Sequence, residues 1–87
     1  MMSKQKKAPV EKKIERPVNP FDAPDKTKAF GSSGNVVRWI QFQLNIEVTG
    51  EYDHNTVEAV KSFQKAHGLN QTGIVDKLTR VVLANIK

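Results

Sequence analysis

The sequence predicts a small all-α fold in which an extended N-terminal arm precedes three short helices. Three observations support this prediction. One turn motif occurs twice, at positions 49–56 and 72–79; apolar side chains follow a helical period in three segments; and all four prolines lie in the N-terminal third of the chain. Because repetition at a fixed offset indicates a repeated structural unit, the two turns predict two equivalent helix starts.

Charge and proline content divide the chain near residue 30. Residues 1–29 carry eight Lys and Arg against four Asp and Glu, so they hold four of the five net positive charges. Proline at this density prevents a continuous helix and favours extended backbone. We therefore predict a basic, extended or disordered arm over residues 1–29 and a three-helix domain over residues 30–87.

Length and composition exclude several classes of protein. A chain of 87 residues can form one small domain. It contains no cysteine, which excludes disulfides and thiolate metal sites. No apolar run approaches the roughly 18 residues of a membrane span, and the start lacks the apolar core of a secretory signal. We expect no membrane contact, and export, if it occurs, by a route other than a signal in this sequence.

The repeated turn reads T-G-x-[apolar]-D-x-x-T and occupies residues 49–56 and 72–79. Glycine permits the positive φ of a tight turn, and the apolar residue two positions later can point inward. Asp53 and Asp76 follow, and an aspartate at a helix start accepts hydrogen bonds from unpaired backbone amides. Each copy therefore predicts a turn, a buried apolar side chain and a helix N-terminus.

The apolar spacing predicts helices over about residues 35–45, 54–67 and 77–86. Gly68 can take the left-handed conformation that ends the second helix, with Leu69 contacting Phe63 as its apolar partner. The side chains predicted to face inward are Val37, Ile40, Gln41 and Leu44 in the first helix, Val57, Ala59, Val60, Phe63 and Ala66 in the second, and Leu78, Val82, Leu83 and Ile86 in the third.

An ordered series of short motifs runs through the domain. The motifs are Gly31-Ser-Ser-Gly34, Val37-x-x-Ile40-Gln41-x-x-Leu44, Thr56-x-x-Ala59-Val60-x-x-Phe63-Gln64, Gly68-Leu69, Gly73-Ile74-Val75 and Thr79-x-x-x-Leu83. Over about residues 31–86 this series resembles the peptidoglycan-binding domain of cell-wall hydrolases and phage lysins. The resemblance implies a three-helix, non-catalytic module that holds bacterial cell wall.

The chain departs from that family pattern at several positions. The segment 45–49 is shorter than usual, Asp53 and Asp76 stand where glycine is favoured, and Arg80 stands where tryptophan is often found. These loops flank the surface on which the resemblance places the ligand.

Four residues are candidates for ligand binding: Gln41, Tyr52, Gln64 and Arg80. Gln41 and Gln64 occupy matching positions at the edges of the buried faces, and an amide both donates and accepts hydrogen bonds. They can bond to the backbone of the repeated turns, contact wall peptide or glycan, or do both. If the resemblance extends to function, changes at Gln41, Tyr52 or Gln64 that preserve the fold should weaken wall binding.

No residue pattern predicts catalysis, a metal site or a cofactor. Asp53 and Asp76 are explained as helix caps, and the neighbouring His54 has no further partner for a catalytic arrangement. His54 and His67 stand at opposite ends of the predicted second helix, without the i, i+4 spacing of a helical metal site. We therefore predict a protein that is not an enzyme.

Trp39 and Phe42 lie away from the predicted core on a helical wheel. Exposed apolar side chains of this size usually mark a contact. The arm can cover the pair through Val18, Phe21 or Phe30; a partner protein, or a sugar ring stacked on Trp39, is the alternative. We predict a covering protein surface, own or foreign, with the arm extended and Phe21 or Phe30 near the first helix or on a neighbouring subunit.

Lysines concentrate at the start of the arm. Those assigned as candidate polyanion contacts are Lys4, Lys6, Lys7, Lys12 and Lys13. Such a run is commonly a solvated tail, and its functional alternative is attraction to nucleic acid or to anionic wall polymers. No aromatic residue is interleaved among these charges, which weighs against stacking on single-stranded nucleic acid.

Three functions fit these observations. The first is a stand-alone peptidoglycan-binding module at the bacterial cell-wall surface. The second is a structural protein of a phage virion whose arm anchors in neighbouring virion proteins while the domain makes a protein or wall contact. The third is a small host-directed or nucleic-acid-associated protein that uses the basic arm.

Overall fold

Three helices form in residues 18–86, the part of the chain that the computed structural model describes. They are α1, Asn35–Leu44; α2, His54–Ala66; and α3, Lys77–Ala84. The predicted all-α fold is confirmed, with each helix starting at the predicted residue and ending one or two residues early. None of these helices has the length and apolar character needed to cross a membrane.

The two predicted aspartate caps start α2 and α3. The Asp53 carboxylate accepts a hydrogen bond from the backbone N–H of Thr56 at 3.1 Å, and Asp76 accepts one from Thr79 at 3.0 Å. Each bond pairs an amide that has no partner within the helix. By contrast, α1 follows Gly34 and has no side-chain cap.

α1 and α2 end with the same left-handed turn. Gly68 has φ 72°, and the following residue donates its backbone N–H to the carbonyl of Gln64 at 2.8 Å. Asn45 has φ 60°, and the residue after it donates to the carbonyl of Gln41 at 3.1 Å. Both are Schellman caps. The cap at Gly68 confirms the prediction, and the one at Asn45 was not predicted.

The core lies between α1 and the two helices that it packs against, α2 and α3. Its buried apolar side chains are Val37, Trp39, Ile40, Tyr52, Val60, Val75 and Leu83, and half-buried Phe21, Leu44, Val57, Phe63 and Ile86 pack around them. Tyr52 and Val75, the apolar positions of the two turn motifs, are both buried as predicted.

Two side chains predicted to point inward are exposed. Leu78 has 60% of its surface exposed, and Ala66 is also exposed. Thr79 is buried, with its hydroxyl accepting from Gln64, and Leu78, one position earlier on the helix, faces solvent. Ala66 likewise lies off the buried row of α2, which ends at Gln64.

The arm covers the aromatic pair of its own α1. Asn19 Nδ2 donates to the backbone carbonyl of Trp39 and to Gln43 Oε1, each at 3.1 Å. Phe21 meets Phe42 edge to face, with ring centroids 6.2 Å apart. Trp39 is only 7% exposed and belongs to the core cluster against which Phe21 packs, although the wheel of α1 alone places it on the solvent side.

A backbone bridge extends this contact to the second turn motif. Lys28 and Val75 exchange two backbone hydrogen bonds, of 3.0 and 2.8 Å. Of the three arm residues named as alternative covers, Phe21 meets α1. Val18 is 88% exposed, and Phe30 is 62% exposed and lies against His54 of α2, at a centroid distance of 4.9 Å.

Candidate functional site

The first turn is built around one buried glutamine amide. Gln41 is 1% exposed, and its Oε1 accepts from the backbone N–H groups of Thr49 and Gly50, both at 2.9 Å. Its Nε2 donates to the Glu51 carbonyl at 2.9 Å and to the hydroxyls of Thr56 and Thr49 at 3.0 and 3.1 Å. The side chain of Gln41 therefore fixes the course of the loop between α1 and α2.

The second turn repeats this arrangement around Gln64, also 1% exposed. Its Oε1 accepts from the backbone N–H of Gly73 at 2.9 Å. Its Nε2 donates to the Ile74 carbonyl at 3.0 Å and to the hydroxyls of Thr79 and Thr72 at 3.1 and 3.3 Å. One bond differs, because the backbone N–H of Thr72 bonds to a carbonyl within its own loop.

Tyr52 joins the two turns. The side chain is 2% exposed, and its hydroxyl donates to the backbone carbonyl of Gly73 at 2.6 Å. Burial raises the pKa of the Tyr52 phenol well above its ordinary value, so the hydroxyl keeps its proton and remains a donor. The two loops are thereby held in one fixed arrangement.

The capping aspartates carry charge at the surface of each loop. The backbone N–H of Thr56 lowers the pKa of Asp53, and the backbone N–H of Thr79 does the same for Asp76. Arg80 contributes a smaller lowering of the pKa at Asp76. Hydrogen bonds to the ionised form favour it, so both carboxylates are charged at neutral pH.

A pocket of about 210 Å³ opens between the end of α1 and the first turn of α2. It is lined by Gln41, Ile46, Glu47, Thr49, Asp53, Asn55 and Thr56. The lining offers carboxylates, amides and hydroxyls with one aliphatic side chain, a mixture that can both donate and accept hydrogen bonds. Its volume is below the roughly 300–1,000 Å³ typical of small-molecule pockets. It is therefore smaller than a pocket that encloses a whole small molecule.

The four sequence candidates do not converge on this pocket. Gln41 lines it, whereas Tyr52 and Gln64 are buried in the joint between the loops and in the second loop. Arg80 is half-buried on α3, and its Nε has no hydrogen-bond partner among the described residues. The predicted bonds from Gln41 and Gln64 to the turn backbones are present, and a role in ligand binding stays a prediction for all four residues.

Two pocket residues, Glu47 and Asn55, were missed by sequence reasoning. Both are exposed, and both lie in or directly before the first copy of the turn motif. The sequence signal for these two residues was their polarity. Both stand at positions that vary between the two copies of the turn, whereas the constant positions of the motif support the structure.

Other predicted contacts lie away from the pocket or outside the described residues. Within residues 18–86, no three His, Cys, Asp or Glu side chains are grouped so as to hold a metal ion. The lysines assigned to polyanion contact, Lys4, Lys6, Lys7, Lys12 and Lys13, lie outside the described residues.

Comparisons with known proteins agree with the fold. A sequence model of the peptidoglycan binding domain family matches residues 28–83. A similar solved structure is the fused Zn-dependent amidase/peptidase/peptidoglycan-binding domain-containing protein from Clostridium acetobutylicum, with 33% identity and a TM-score of 0.68. The match covers 71% of this chain and 30% of that protein. None of the curated proteins matches the chain. The predicted boundary between residues 29 and 30 stays a prediction.

Proposed function

This chain belongs to the peptidoglycan binding domain family, and on that premise we propose that it binds bacterial cell wall through the α1–α2 pocket without cutting the wall. Its place of action is then the cell-wall surface. The pocket of about 210 Å³ and its lining carry this proposal.

The chemistry of the pocket suits a polar polymer. Peptidoglycan presents hydroxyls and amides along its glycan and carboxylates, amides and amines on its peptides. Exposed Glu47, Thr49 and Asn55 stand at the pocket with side chains that can accept from or donate to such groups. The frame beneath them is rigid, because Gln41 is buried and bonded to both sides of the loop. A preorganised site of this kind loses little free energy to ordering when ligand binds.

A binding role fits the pocket better than a catalytic one. Asp53 has one carboxylate oxygen committed to the backbone N–H and the hydroxyl of Thr56, each at 3.1 Å. Its lowered pKa makes it a weak base. The similar solved structure is named as a fusion of an amidase, a peptidase and a peptidoglycan-binding domain. We assign only the last of these functions to this chain.

The test is co-sedimentation of the full chain with purified sacculi. Asn55→Ala removes a hydrogen-bonding side chain, and Glu47→Gln removes a charge. Each should weaken binding by between about twofold and tenfold. Glu58→Gln is the matched control, since Glu58 is exposed on α2 outside the pocket. The turbidity of a sacculus suspension should stay constant. If neither pocket variant weakens binding but high salt abolishes it, the interaction belongs to the basic arm and the proposal that the pocket binds the wall is refuted.

The virion hypothesis predicts an arm that reaches a neighbouring subunit. In the structure, Asn19, Phe21 and Lys28 all contact the domain of their own chain. A contact of the arm with a neighbouring subunit stays a prediction of that hypothesis.

A further inference from the structure

The pocket between α1 and α2 is acidic. Its lining includes the carboxylates of Glu47 and Asp53, and none of the described residues that line it is Lys, Arg or His. The other polar side chains of the lining are amides and hydroxyls, which carry no charge. The pocket therefore holds two formal negative charges in a chain whose net charge at pH 7 is +5.

These charges are not neutralised from within the described residues 18–86, where neither carboxylate takes part in an ion pair. Both bonds from Thr56 to Asp53 end on Oδ1, at 3.1 Å, so they leave Oδ2 for a ligand. The guanidinium of Arg38 packs on Gly50 of the same loop, but it donates to Asn35 at 2.9 Å and is not part of the lining. The negative charge of the pocket thus faces whatever enters it.

Charge decides which group of the wall suits this pocket. An entering group removes water from the carboxylates, and a desolvated charge without a partner costs free energy. A neutral hydroxyl compensates little of that cost, and a carboxylate is repelled. An ammonium group forms charge-assisted hydrogen bonds, which are roughly twice as strong as neutral ones. Ile46 adds an aliphatic surface for the methylene chain that carries such a group.

We propose that the α1–α2 pocket takes the side-chain ammonium group of the diamino acid in a peptidoglycan stem peptide. This inference rests on the proposed wall-binding function and names the group of the wall that enters the pocket. The amines of the glycan are normally acetylated, whereas the diamino acid keeps a free amine until a cross-link consumes it. The chain then binds regions of the wall whose stem peptides are not cross-linked.

Acetylation of purified sacculi tests the proposal, since acetic anhydride converts free amines into neutral amides. In co-sedimentation, the full chain should bind acetylated sacculi about tenfold more weakly than untreated ones, the value of one charge-assisted hydrogen bond. Attraction through the basic arm predicts the opposite sign, because acetylation makes the wall more anionic and the chain has a net charge of +5.

Two variants locate the effect in the pocket. Asp53→Asn and Glu47→Gln each remove one negative charge, and asparagine remains a good helix cap. Each should weaken binding to untreated sacculi by between about twofold and tenfold, and should change binding to acetylated sacculi by less than about twofold. Thermal unfolding checks that each variant folds.

The matched controls remove a carboxylate outside the pocket. Asp76→Asn makes the same change at the equivalent cap of α3, and Glu51→Gln neutralises an exposed side chain of the same loop that does not line the pocket. Both controls should bind untreated sacculi, and respond to acetylation, like the unaltered chain.

The outcomes separate the ammonium assignment from the function on which it rests. An unaltered chain that fails to bind untreated sacculi refutes the proposed function itself. Equal binding to untreated and acetylated sacculi, or tighter binding to the acetylated ones, overturns only the ammonium assignment. Equal losses for Asp53→Asn and Asp76→Asn would show a general effect of charge and also overturn it. Acetylation should not change binding to glycan strands stripped of stem peptides; a loss of about tenfold there would place the amine on the glycan and refute the stem-peptide assignment.

Discussion

Replacing the buried glutamines by leucine tests the repeated frame, and the structure predicts unequal costs for the two copies. Gln41→Leu removes partners from two backbone N–H groups and one backbone carbonyl, those of Thr49, Gly50 and Glu51. Gln64→Leu removes partners from one N–H and one carbonyl. The first variant should therefore be the less stable.

The magnitude follows from the burial of those groups. The N–H of Gly50 lies in a buried bond and costs about 1–3 kcal/mol when left unpaired, whereas each part-buried group adds about 0.5–1.5 kcal/mol. Gln41→Leu should thus lower the free energy of unfolding by about 2–6 kcal/mol. Gln64→Leu should cost about 0.5–1.5 kcal/mol less, the value of the extra bond to Thr49. The larger loss is a substantial fraction of the roughly 3–10 kcal/mol expected for a domain of this size.

Thermal unfolding followed by circular dichroism measures both losses. At about 4–8 °C per kcal/mol for a domain of this size, Gln41→Leu should lower Tm by at least about 8 °C. Gln71→Leu is the control, because Gln71 is exposed in the second loop. A Tm for Gln41→Leu within about 2 °C of the unaltered chain, or a larger loss for Gln64→Leu, would refute the account of the loop frame.

Three further changes probe the caps and the arm. Asp76→Ala should cost about 0.5–2 kcal/mol in urea unfolding, whereas Asp76→Asn, which keeps the acceptor, should cost much less; equal losses would contradict the cap. The pKa values of Asp53 and Asp76 are lowered from 3.8 in the folded state. Their ionised carboxylates therefore stabilise the fold fully above pH 3.8, and this stabilisation is lost as pH falls through the lower folded pKa. A pH series of unfolding curves measures the loss. Deleting residues 1–27 should shift Trp39 emission to the red, whereas deleting residues 1–17, which keeps every described contact, should not; an unshifted spectrum after the longer deletion would exclude cover by the arm.

The helix boundaries could be predicted because their determinants are local. Asp53 and Asp76 each accept a hydrogen bond from the backbone N–H three residues later, and Gly68 takes the left-handed conformation that ends α2. The repeat also carried a signal that the helical wheel lacked. Position 78 corresponds to exposed Asn55, and that correspondence would have placed Leu78 on the surface.

The covering of Trp39 and the pocket could not be predicted in detail, because both depend on contacts distant in sequence. Asn19, in the arm, reaches the carbonyl of Trp39 in α1, and a helical wheel treats α1 without the arm. Gln41 is buried because the loop after α1 folds back over it. The helical period of the sequence placed Gln41 at the edge of the core. It left open whether the side chain would bond to the loop or to a ligand.

The central claim, that the α1–α2 pocket of this domain binds peptidoglycan, is tested most directly by titrating the ¹⁵N-labelled full chain with a soluble disaccharide that carries its stem peptide. Backbone amide shifts report which residues meet the ligand. The account predicts shifts concentrated in residues 46–56, with Glu58 unmoved. Shifts confined to residues 1–17 and abolished by salt, or no shifts at saturating fragment, would contradict it.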